Sequence, residues 1–179
     1  RAASVFGSTF WAGGVATLLG RDRDAAAPEI GSPLEALVGH ELVERRRSSR
    51  FPGQQELAFR HSLVREAAYA MLSVGDRALG HRLAAQWLEE AGEGDPMVLA
   101  AHLLEGREPA RAARWLGRAA ELALEGNDFA AAVELARRGL QSASDDEQRG
   151  QLLLVEAEAC RWQGQLSEAA RAARTAAGV

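Results

Sequence analysis

His61, Arg65 and Tyr69 are the residues whose types and spacing most clearly suggest chemistry in this sequence. They are four residues apart, so an imidazole, a guanidinium and a phenol would project from one side of a helix. All three groups can donate hydrogen bonds to a partner. The same pattern also fits an arrangement without any ligand, in which the histidine caps the helix and the arginine is solvated.

The helix that would position this stripe has a broad apolar face. Its apolar residues recur at steps of one, three and four, which is the spacing of a buried helix face. They are Leu63, Val64, Ala67, Ala68, Met71 and Leu72. We therefore expect this face to lie in the core and the stripe to face a partner.

Two short helices and a loop are predicted at the start of the chain. Apolar residues predict the first helix within residues 1–11, and Gly13 and Gly14 interrupt the pattern because paired glycines disfavour a helix. The second helix is predicted at Val15–Leu19. Arg21–Gly31 has no periodicity, so we expect a surface loop there.

A third helix and a β-hairpin are predicted next. A capping box with proline at the first helical position marks the helix start at Ser32–Glu35. The period then changes from helical to alternating, which predicts a hairpin with its turn at 51–53 and its second strand at 57–59. Three short helices followed by a hairpin indicate a winged helix-turn-helix, which we assign to residues 1–75.

Residues 76–179 are predicted to be helical and to contain an internal repeat. Phe129 aligns with Leu166, a period of 37 residues. Small residues follow at matching positions and would let two antiparallel helices approach closely. The matched pairs are Ala132 with Ala169, Ala136 with Ala173, and Gly139 with Ala176. The predicted fold is mainly α: a winged-helix-like domain with a short β-hairpin, followed by a right-handed stack of helical hairpins.

The composition disfavours several classes of site. All 21 basic residues are arginines, so the sequence has no Gly-x-x-x-x-Gly-Lys phosphate loop, and the net charge of -4 disfavours nucleic acid. The four histidines lack the spacing of metal ligands, and Cys160 is predicted to be a small core residue. We therefore expect no enzyme activity, no metal and no cofactor in this chain.

The sequence predicts a cytoplasmic protein without membrane contact. No apolar run approaches the roughly 20 residues of a membrane-spanning helix, and the first residues have no signal-peptide pattern. The chain begins with Arg1 rather than methionine. We interpret it as a fragment, and we expect further repeats after Val179 in the parent protein.

The run F-R-H-S-L-V-R-E-A-A-Y, residues 59–69, resembles the end of the winged-helix module in signal-transduction ATPases of the STAND class. In bacteria, such ATPases occur fused to Ser/Thr kinase or nucleotide cyclase domains. In related proteins a Met-His-Asp motif begins this helix, and its histidine senses the β-phosphate of bound ADP. His61 matches that histidine, whereas Arg60 and Ser62 replace the flanking residues.

The internal repeat resembles the tetratricopeptide repeat, whose usual period is about 34 residues. The longer period fits an added acidic connection at Ser144–Glu147, which is also a capping box. The sequence departs from the family pattern at Leu116 and Leu153, where the family prefers tryptophan. It departs again at Glu156, where the family prefers leucine.

Together, these resemblances imply the regulatory middle of a STAND-class ATPase. The winged helix would control a nucleotide-binding domain of the same polypeptide, which binds ATP or ADP, with His61 near the β-phosphate and Arg65 bracing the contact. The helical repeats would bind a protein, a peptide or a small-molecule signal. The candidate partner-binding residues are Arg118, Glu121, Glu125, Glu158 and Arg161.

Two other functions fit the same sequence. Winged helices often bind DNA: four arginines of the predicted wing favour this function, whereas three glutamates in and beside the helix that would enter a major groove oppose it. These residues are Arg45, Arg46, Arg47 and Arg50, against Glu35, Glu41 and Glu44. The other alternative is a scaffold whose repeats hold a peptide while the winged helix caps the stack.

Overall fold

The computed structural model describes residues 1–21 and 26–178. Within these residues the chain is mainly helical, with a small antiparallel sheet. It divides into two compact units, Arg1–Gly92 and Glu93–Val179. The sequence placed the boundary after residue 75, so the structure includes one more helix in the first unit than the sequence suggested.

The first unit combines helices with a three-stranded antiparallel sheet. Its elements are a 3₁₀ helix (Ala2–Phe6), β1 (Thr9–Trp11), α1 (Ala12–Leu18), α2 (Ala26–Gly39), β2 (Val43–Arg45), β3 (Glu56–Phe59), α3 (Ser62–Ala70) and α4 (Val74–Ala91). The strand order is β1-β3-β2, and Phe10 of β1 lies opposite Leu57 of β3. Both side chains are fully buried, so this cross-strand pair belongs to the core of the unit.

Thr9–Trp11 forms a strand where the sequence predicted the end of a helix. Helical structure in this segment is limited to the 3₁₀ helix Ala2–Phe6. Aromatic residues favour a strand when a partner strand covers them, and β3 supplies that partner along the whole of β1. Because β3 is far away in the sequence, the local periodicity does not reveal it.

α2 also differs from its predicted start. The helix runs from Ala26 to Gly39 with Pro33 inside it, so the capping box predicted at Ser32–Glu35 does not begin a helix. The fixed φ of proline is compatible with helical geometry, and the helix continues upstream of it. Of the predicted loop at 21–31, residues 22–25 lie outside the described residues, and the residues that follow them are helical.

Aromatic packing places α4 in the first unit. The ring centroid of Trp87 in α4 lies 5.5 Å from those of Trp11 and Phe51 and 5.8 Å from that of Phe6. The Trp87 side chain is only 1% exposed. Large buried rings contribute much of the stability of a small core, so this cluster is the physical reason why the unit extends to the end of α4.

The second unit is built from helices that follow one another through short turns. They are α5 (Pro96–Glu105), α6 (Pro109–Glu125), α7 (Phe129–Leu140), α8 (Asp146–Trp162) and α9 (Leu166–Ala176). Aspartate side chains accept backbone N–H groups at three helix starts: Asp95 before α5, Asp128 before α7 and Asp145 before α8. Each such cap stabilises its helix by about 1 kcal/mol.

The helix bounds follow the period of 37 residues seen in the sequence. α8 begins and ends 37 residues after α6, and α9 begins 37 residues after α7. The turns within the two hairpins also correspond, because Asn127 (φ 62°) and Gly164 (φ 77°) both adopt the left-handed conformation. A left-handed residue after the last helical turn ends a helix and reverses the chain.

Small residues bring α7 close to α6 and α8. Ala132 and Ala136 are fully buried. A Cβ atom added at Gly139 would lie 2.8 Å from Cδ2 of Leu152 and 3.5 Å from Cβ of Leu116, and Cβ contacts under 3.0 Å essentially never occur. The missing side chain at Gly139 therefore permits the observed spacing.

Gly139→Ala is expected to lower the free energy of unfolding by about 1 kcal/mol, because overpacking against Leu152 exceeds the gain in helix propensity. Gly150→Ala is the matched control. Gly150 is also helical and nothing lies within 4 Å of its added Cβ, so we expect a gain of about 1 kcal/mol. Urea denaturation followed by circular dichroism measures both values. Equal stabilisation of the two variants would contradict the close approach at Gly139.

Candidate functional site

α3 begins directly after β3 and carries His61 at its N-terminus. The backbone N–H of Arg60 donates to the carbonyl oxygen of Leu42 at 3.1 Å, which fixes the chain just before the helix. His61 has an extended backbone (φ -132°, ψ 129°) and is the N-cap residue, but its side chain makes no capping hydrogen bond. His61 is exposed, so its imidazole is accessible to a partner.

The apolar face of α3 is not buried, and the prediction of a core face was wrong. α3 contains no buried residue. Leu63 is 74% exposed and Met71 is 59% exposed, and Ala67 between them is exposed as well. The other three residues predicted for this face are partly buried: Val64, Ala68 and Leu72. Trp87 of α4 fills the core instead, which leaves α3 at the surface.

Tyr69 does not share a free stripe with His61 and Arg65. Its hydroxyl oxygen lies 2.9 Å from Nε2 of His81, and the guanidinium of Arg77 lies over its ring at 4.7 Å. Arg65 is partly exposed and lies 3.5 Å from the carboxylate of Glu66. His61, Leu63, Ala67 and Met71 form the outward side of the helix, and we call this set the α3 surface.

Carboxylates pair with arginines in and beside the predicted wing. Arg45 pairs with Glu35, Arg46 lies 3.5 Å from Glu44, and Arg60 lies 3.8 Å from the same Glu44. Binding to a phosphate backbone depends on a local excess of positive charge. Because these pairs reduce that excess, the electrostatics of this region do not favour the DNA-binding alternative.

A groove of about 410 Å³ lies between α6 and the first part of α8. Arg118 and Glu121, two of the predicted partner-binding residues, line it and are ion-paired at 3.0 Å. Asp145, Glu147 and Gln148 line the side formed by α8. We call this the α6–α8 groove. Its walls carry both signs of charge, which suits a peptide with polar and charged side chains.

The other three predicted partner-binding residues lie elsewhere. Glu125 is exposed at the C-terminal end of α6. Glu158 and Arg161 are 3.5 Å apart and line a second groove, on the hairpin of α8 and α9. Arg161 also lies over the ring of Trp162 at 4.8 Å. The five residues are therefore divided between two grooves and a solvated helix end.

Sequence reasoning predicted Glu158 and Arg161 of the α8–α9 groove but missed its apolar lining. The groove has a volume of about 580 Å³. Apart from Glu158 and Arg161, its lining residues are apolar: Leu154, Ala157, Ala169, Ala170 and Ala173. The sequence interpretation treated Ala169 and Ala173 as helix-packing residues. The signal available in the sequence was the 37-residue alignment, which pairs Ala169 with Ala132 and Ala173 with Ala136.

A buried carboxylate lies where α7, α8 and α9 meet. Glu156 is 4% exposed and accepts a hydrogen bond from Nε of Arg137 at 2.8 Å. Arg171 of α9 lies 3.8 Å from the same oxygen. The hydrogen bond to Glu156 raises the pKa of Arg137 above its ordinary value. These arginines explain how the helix accommodates a glutamate where the repeat family prefers leucine.

Cys160 is fully buried, which confirms its predicted place in the core. Burial raises the pKa of its thiol above the ordinary value, and the nearby negative charge of Glu156 adds to the shift. Reactivity of a cysteine depends on its thiolate form. The structure therefore predicts a protonated and poorly reactive thiol at neutral pH.

Groups that bind metal ions are spread over several elements. His40 follows α2, His61 precedes α3, His81 lies in α4 and His102 lies in α5. Among the described residues, no group of three or more His, Cys, Asp and Glu side chains could hold a metal ion. In the same part of the chain, none of the helices is both long and apolar enough to span a membrane.

Comparison of the chain with protein-family models, with curated proteins and with solved structures gives no match. The resemblances to STAND-class ATPases and to tetratricopeptide repeats therefore rest on the residues that carry them in this sequence.

Arg137→Gln is expected to lower the free energy of unfolding by about 2 kcal/mol, because it leaves the buried Glu156 carboxylate poorly compensated. Arg138→Gln is the matched control, since Arg138 is the exposed neighbour on the same helix; we expect a change within about 0.5 kcal/mol. Urea denaturation measures both. High salt should reduce the difference only in part, because Glu156 is buried whereas the Arg137 side chain is about half exposed. Equal losses in the two variants would contradict a special role for the Glu156 pair.

Cys160 is expected to react with iodoacetamide far more slowly in the folded chain than in urea, because the raised pKa keeps the buried thiol protonated. The folded rate should increase only above the pH range in which an ordinary thiol titrates. A Cys160→Ala chain that carries Ala177→Cys provides the exposed-thiol control, and mass spectrometry measures the modified fraction. Equal rates for the two folded chains would contradict this environment of Cys160.

Proposed function

We propose that the chain is a non-catalytic regulatory module of a bacterial signal-transduction ATPase of the STAND class. The first unit is a winged-helix-like domain that rests against a nucleotide-binding domain of the same polypeptide. The second unit is a stack of tetratricopeptide-like hairpins that binds a protein or peptide signal. Binding of the signal loosens the first contact and permits exchange of ADP for ATP, a shift between two states with different contacts.

The α3 surface is the observation that carries this proposal. Leu63, Ala67 and Met71 recur every four residues, so they form one apolar stripe along the helix, and all three are exposed. Covering Leu63 or Met71 would stabilise a complex by about 1–2 kcal/mol each. An exposed apolar stripe on a helix without any buried residue is typical of a surface that docks on another protein domain.

The position of His61 supports a nucleotide on the other side of this contact. The first turn of α3 has no side-chain cap. The backbone N–H of Val64 bonds to the carbonyl oxygen of His61, and the backbone N–H groups of Ser62 and Leu63 face the end of the helix, where an anion can bind. His61 lies at the same end and is exposed. Arg65 follows one turn later and, although paired with Glu66, is exposed enough to brace the contact.

The α6–α8 groove supports the second part of the proposal. Arg118 and Glu121 keep about half of their side-chain surface exposed, and an exposed ion pair contributes only about 0–1 kcal/mol. Breaking this ion pair so that each side chain binds a peptide instead therefore costs little free energy. The acidic residues at the start of α8 provide a second set of acceptors for the backbone or basic side chains of such a peptide.

The reading frame that encodes this chain is expected to encode a Gly-x-x-x-x-Gly-Lys-Ser/Thr loop as well. In that polypeptide, His61→Ala and Leu63→Glu should each reduce the amount of ADP retained through purification by several-fold, because the winged helix no longer closes the nucleotide site. Chromatography of the released nucleotide measures the retained amount. His40→Ala is the control, since His40 is exposed and lies outside the α3 surface.

A reading frame without this loop would contradict the regulatory role, and so would equal ADP retention in the His61→Ala and His40→Ala variants. The scaffold function would then be the better explanation of the α6–α8 groove.

A further inference from the structure

Gln148 is a buried polar residue near the start of α8, and its side chain lines the α6–α8 groove. It is only 9% exposed. Its Nε2 donates to the carbonyl oxygen of Ala110 in α6 at 3.4 Å, whereas its Oε1 has no hydrogen-bond partner among the described residues. A buried acceptor without a donor destabilises a folded protein. A ligand that donates to this oxygen would therefore be stabilised in the groove.

The bond to Ala110 determines which way the amide of Gln148 points. If the amide were turned over, Oε1 would face the carbonyl oxygen of Ala110, and two acceptors would lie opposite each other. Oε1 therefore lies on the edge of the amide away from Ala110. Gln148 lines the groove and Ala110 does not, so this edge is directed into the groove. At 3.4 Å the bond to Ala110 is long, so the amide can adjust to a ligand at small cost.

Two carboxylates accompany this oxygen on the α8 wall of the groove. Asp145 and Glu147 line the groove at the start of α8, and both are exposed. Oδ1 of Asp145 accepts the backbone N–H of Gln148 at 2.8 Å, which leaves Oδ2 to accept from a ligand. The α8 wall thus combines an amide oxygen with two negatively charged groups. The ligand group that fits this wall is a cation with several N–H donors.

The side chain of arginine fits this wall better than that of lysine. A guanidinium is planar, carries several N–H donors in a fixed arrangement and is more weakly hydrated than an ammonium. It can therefore donate to a carboxylate and to Oε1 of Gln148 at once. It also loses less hydration when it reaches an oxygen that is nearly buried. The wall therefore favours a guanidinium.

The opposite wall of the groove, on α6, carries positive charge. Arg114 and Arg118 line this wall, and both are exposed. Arg118 is paired with Glu121 at 3.0 Å. A cation without a carboxylate beside it would be repelled by Arg114. A ligand that also carries a carboxylate can pair with Arg114, so the two walls together select a ligand with both charges.

We infer that the α6–α8 groove binds an arginine side chain that has a carboxylate close to it. The guanidinium donates to Oε1 of Gln148 and to the carboxylates of Asp145 and Glu147, and the carboxylate of the ligand pairs with Arg114. A peptide with an arginine beside an aspartate or a glutamate carries both groups, and so does free arginine. This inference specifies the ligand of the groove that receives the signal in the proposed function, and it rests on that assignment.

The binding test uses the whole chain, labelled with ¹⁵N, and a short peptide with blocked termini and an adjacent arginine and glutamate. Backbone amide signals from the start of α8 should shift during the titration, and these shifts measure the affinity. Citrulline in place of the arginine keeps the shape of the side chain but removes its charge. We expect the citrulline peptide to bind about tenfold more weakly, because hydrogen bonds from a charged donor are the stronger ones.

Free arginine is titrated in parallel, because it supplies the same two groups without a peptide. Tighter binding of the peptide than of free arginine would support a peptide segment as the source of the guanidinium. Tighter binding of free arginine would support the same site with a small molecule as its ligand.

Two variants of the chain locate the guanidinium. Gln148→Met removes the amide oxygen and should weaken peptide binding about tenfold. Its control is Gln163→Met, at an exposed glutamine at the C-terminal end of α8. Glu147→Gln should weaken binding about fivefold, the upper range for an exposed ion pair, with the exposed Glu134→Gln of α7 as its control. Because Glu147 is exposed, this variant should fold even if Gln148→Met does not, which circular dichroism checks.

Equal affinity of the arginine, lysine and citrulline peptides would overturn the inference. Equal affinity of the Gln148→Met and Gln163→Met chains would overturn it as well, and so would a titration without shifts at the start of α8. A peptide that binds in the groove without any preference for arginine would leave the proposed function intact, since that function requires only a peptide there. Equal ADP retention in the His61→Ala and His40→Ala variants contradicts the proposed function whatever the groove binds, so the two failures are distinguishable.

Discussion

The burial of Trp87 is the interaction on which the organisation of the first unit depends. Because its ring contacts Phe6, Trp11 and Phe51, the long α4 must cross the centre of the unit. β1 must lie beside β3 to present Trp11 to that centre. α3 precedes α4 in the chain and is left outside this core, with its apolar side facing solvent. The exposed α3 surface is thus a consequence of how the core is filled.

A different constraint shapes the second unit. Its helices approach closely because small residues line their contacts, and Gly139 marks the tightest of these approaches. The same alternation of small and large residues creates both grooves. Where a large side chain such as Leu152 enters a small-residue wall, the wall is closed. In the next hairpin Leu154 stands at the position of Gly117 and lines the groove, so two hairpins of similar sequence present different surfaces.

The sequence predicted some of the features that depend on neighbouring residues, although the helix start predicted from the Ser32–Glu35 capping box was wrong. The period of 37 residues follows from local spacing, and the helix bounds of the structure have it. The prediction that α3 buries its apolar face was wrong, because periodicity shows that one side of a helix is apolar without showing what covers that side. β1 and the place of α4 depend on partners far away in the chain. The division of the predicted partner-binding residues also depends on packing, since Glu121 and Glu158 are equivalent at the period of 37 residues but line different grooves.

Glu156 affects which helices pair with one another during folding. The corresponding residue of α6 is Ala119, which is buried and uncharged. Similar repeats can pair wrongly during folding, because their apolar faces resemble one another. If α8 took the place of α6, the carboxylate would be buried without Arg137, at a cost of several kcal/mol. The charge of Glu156 thus distinguishes α8 from α6 and favours a single order of helix packing.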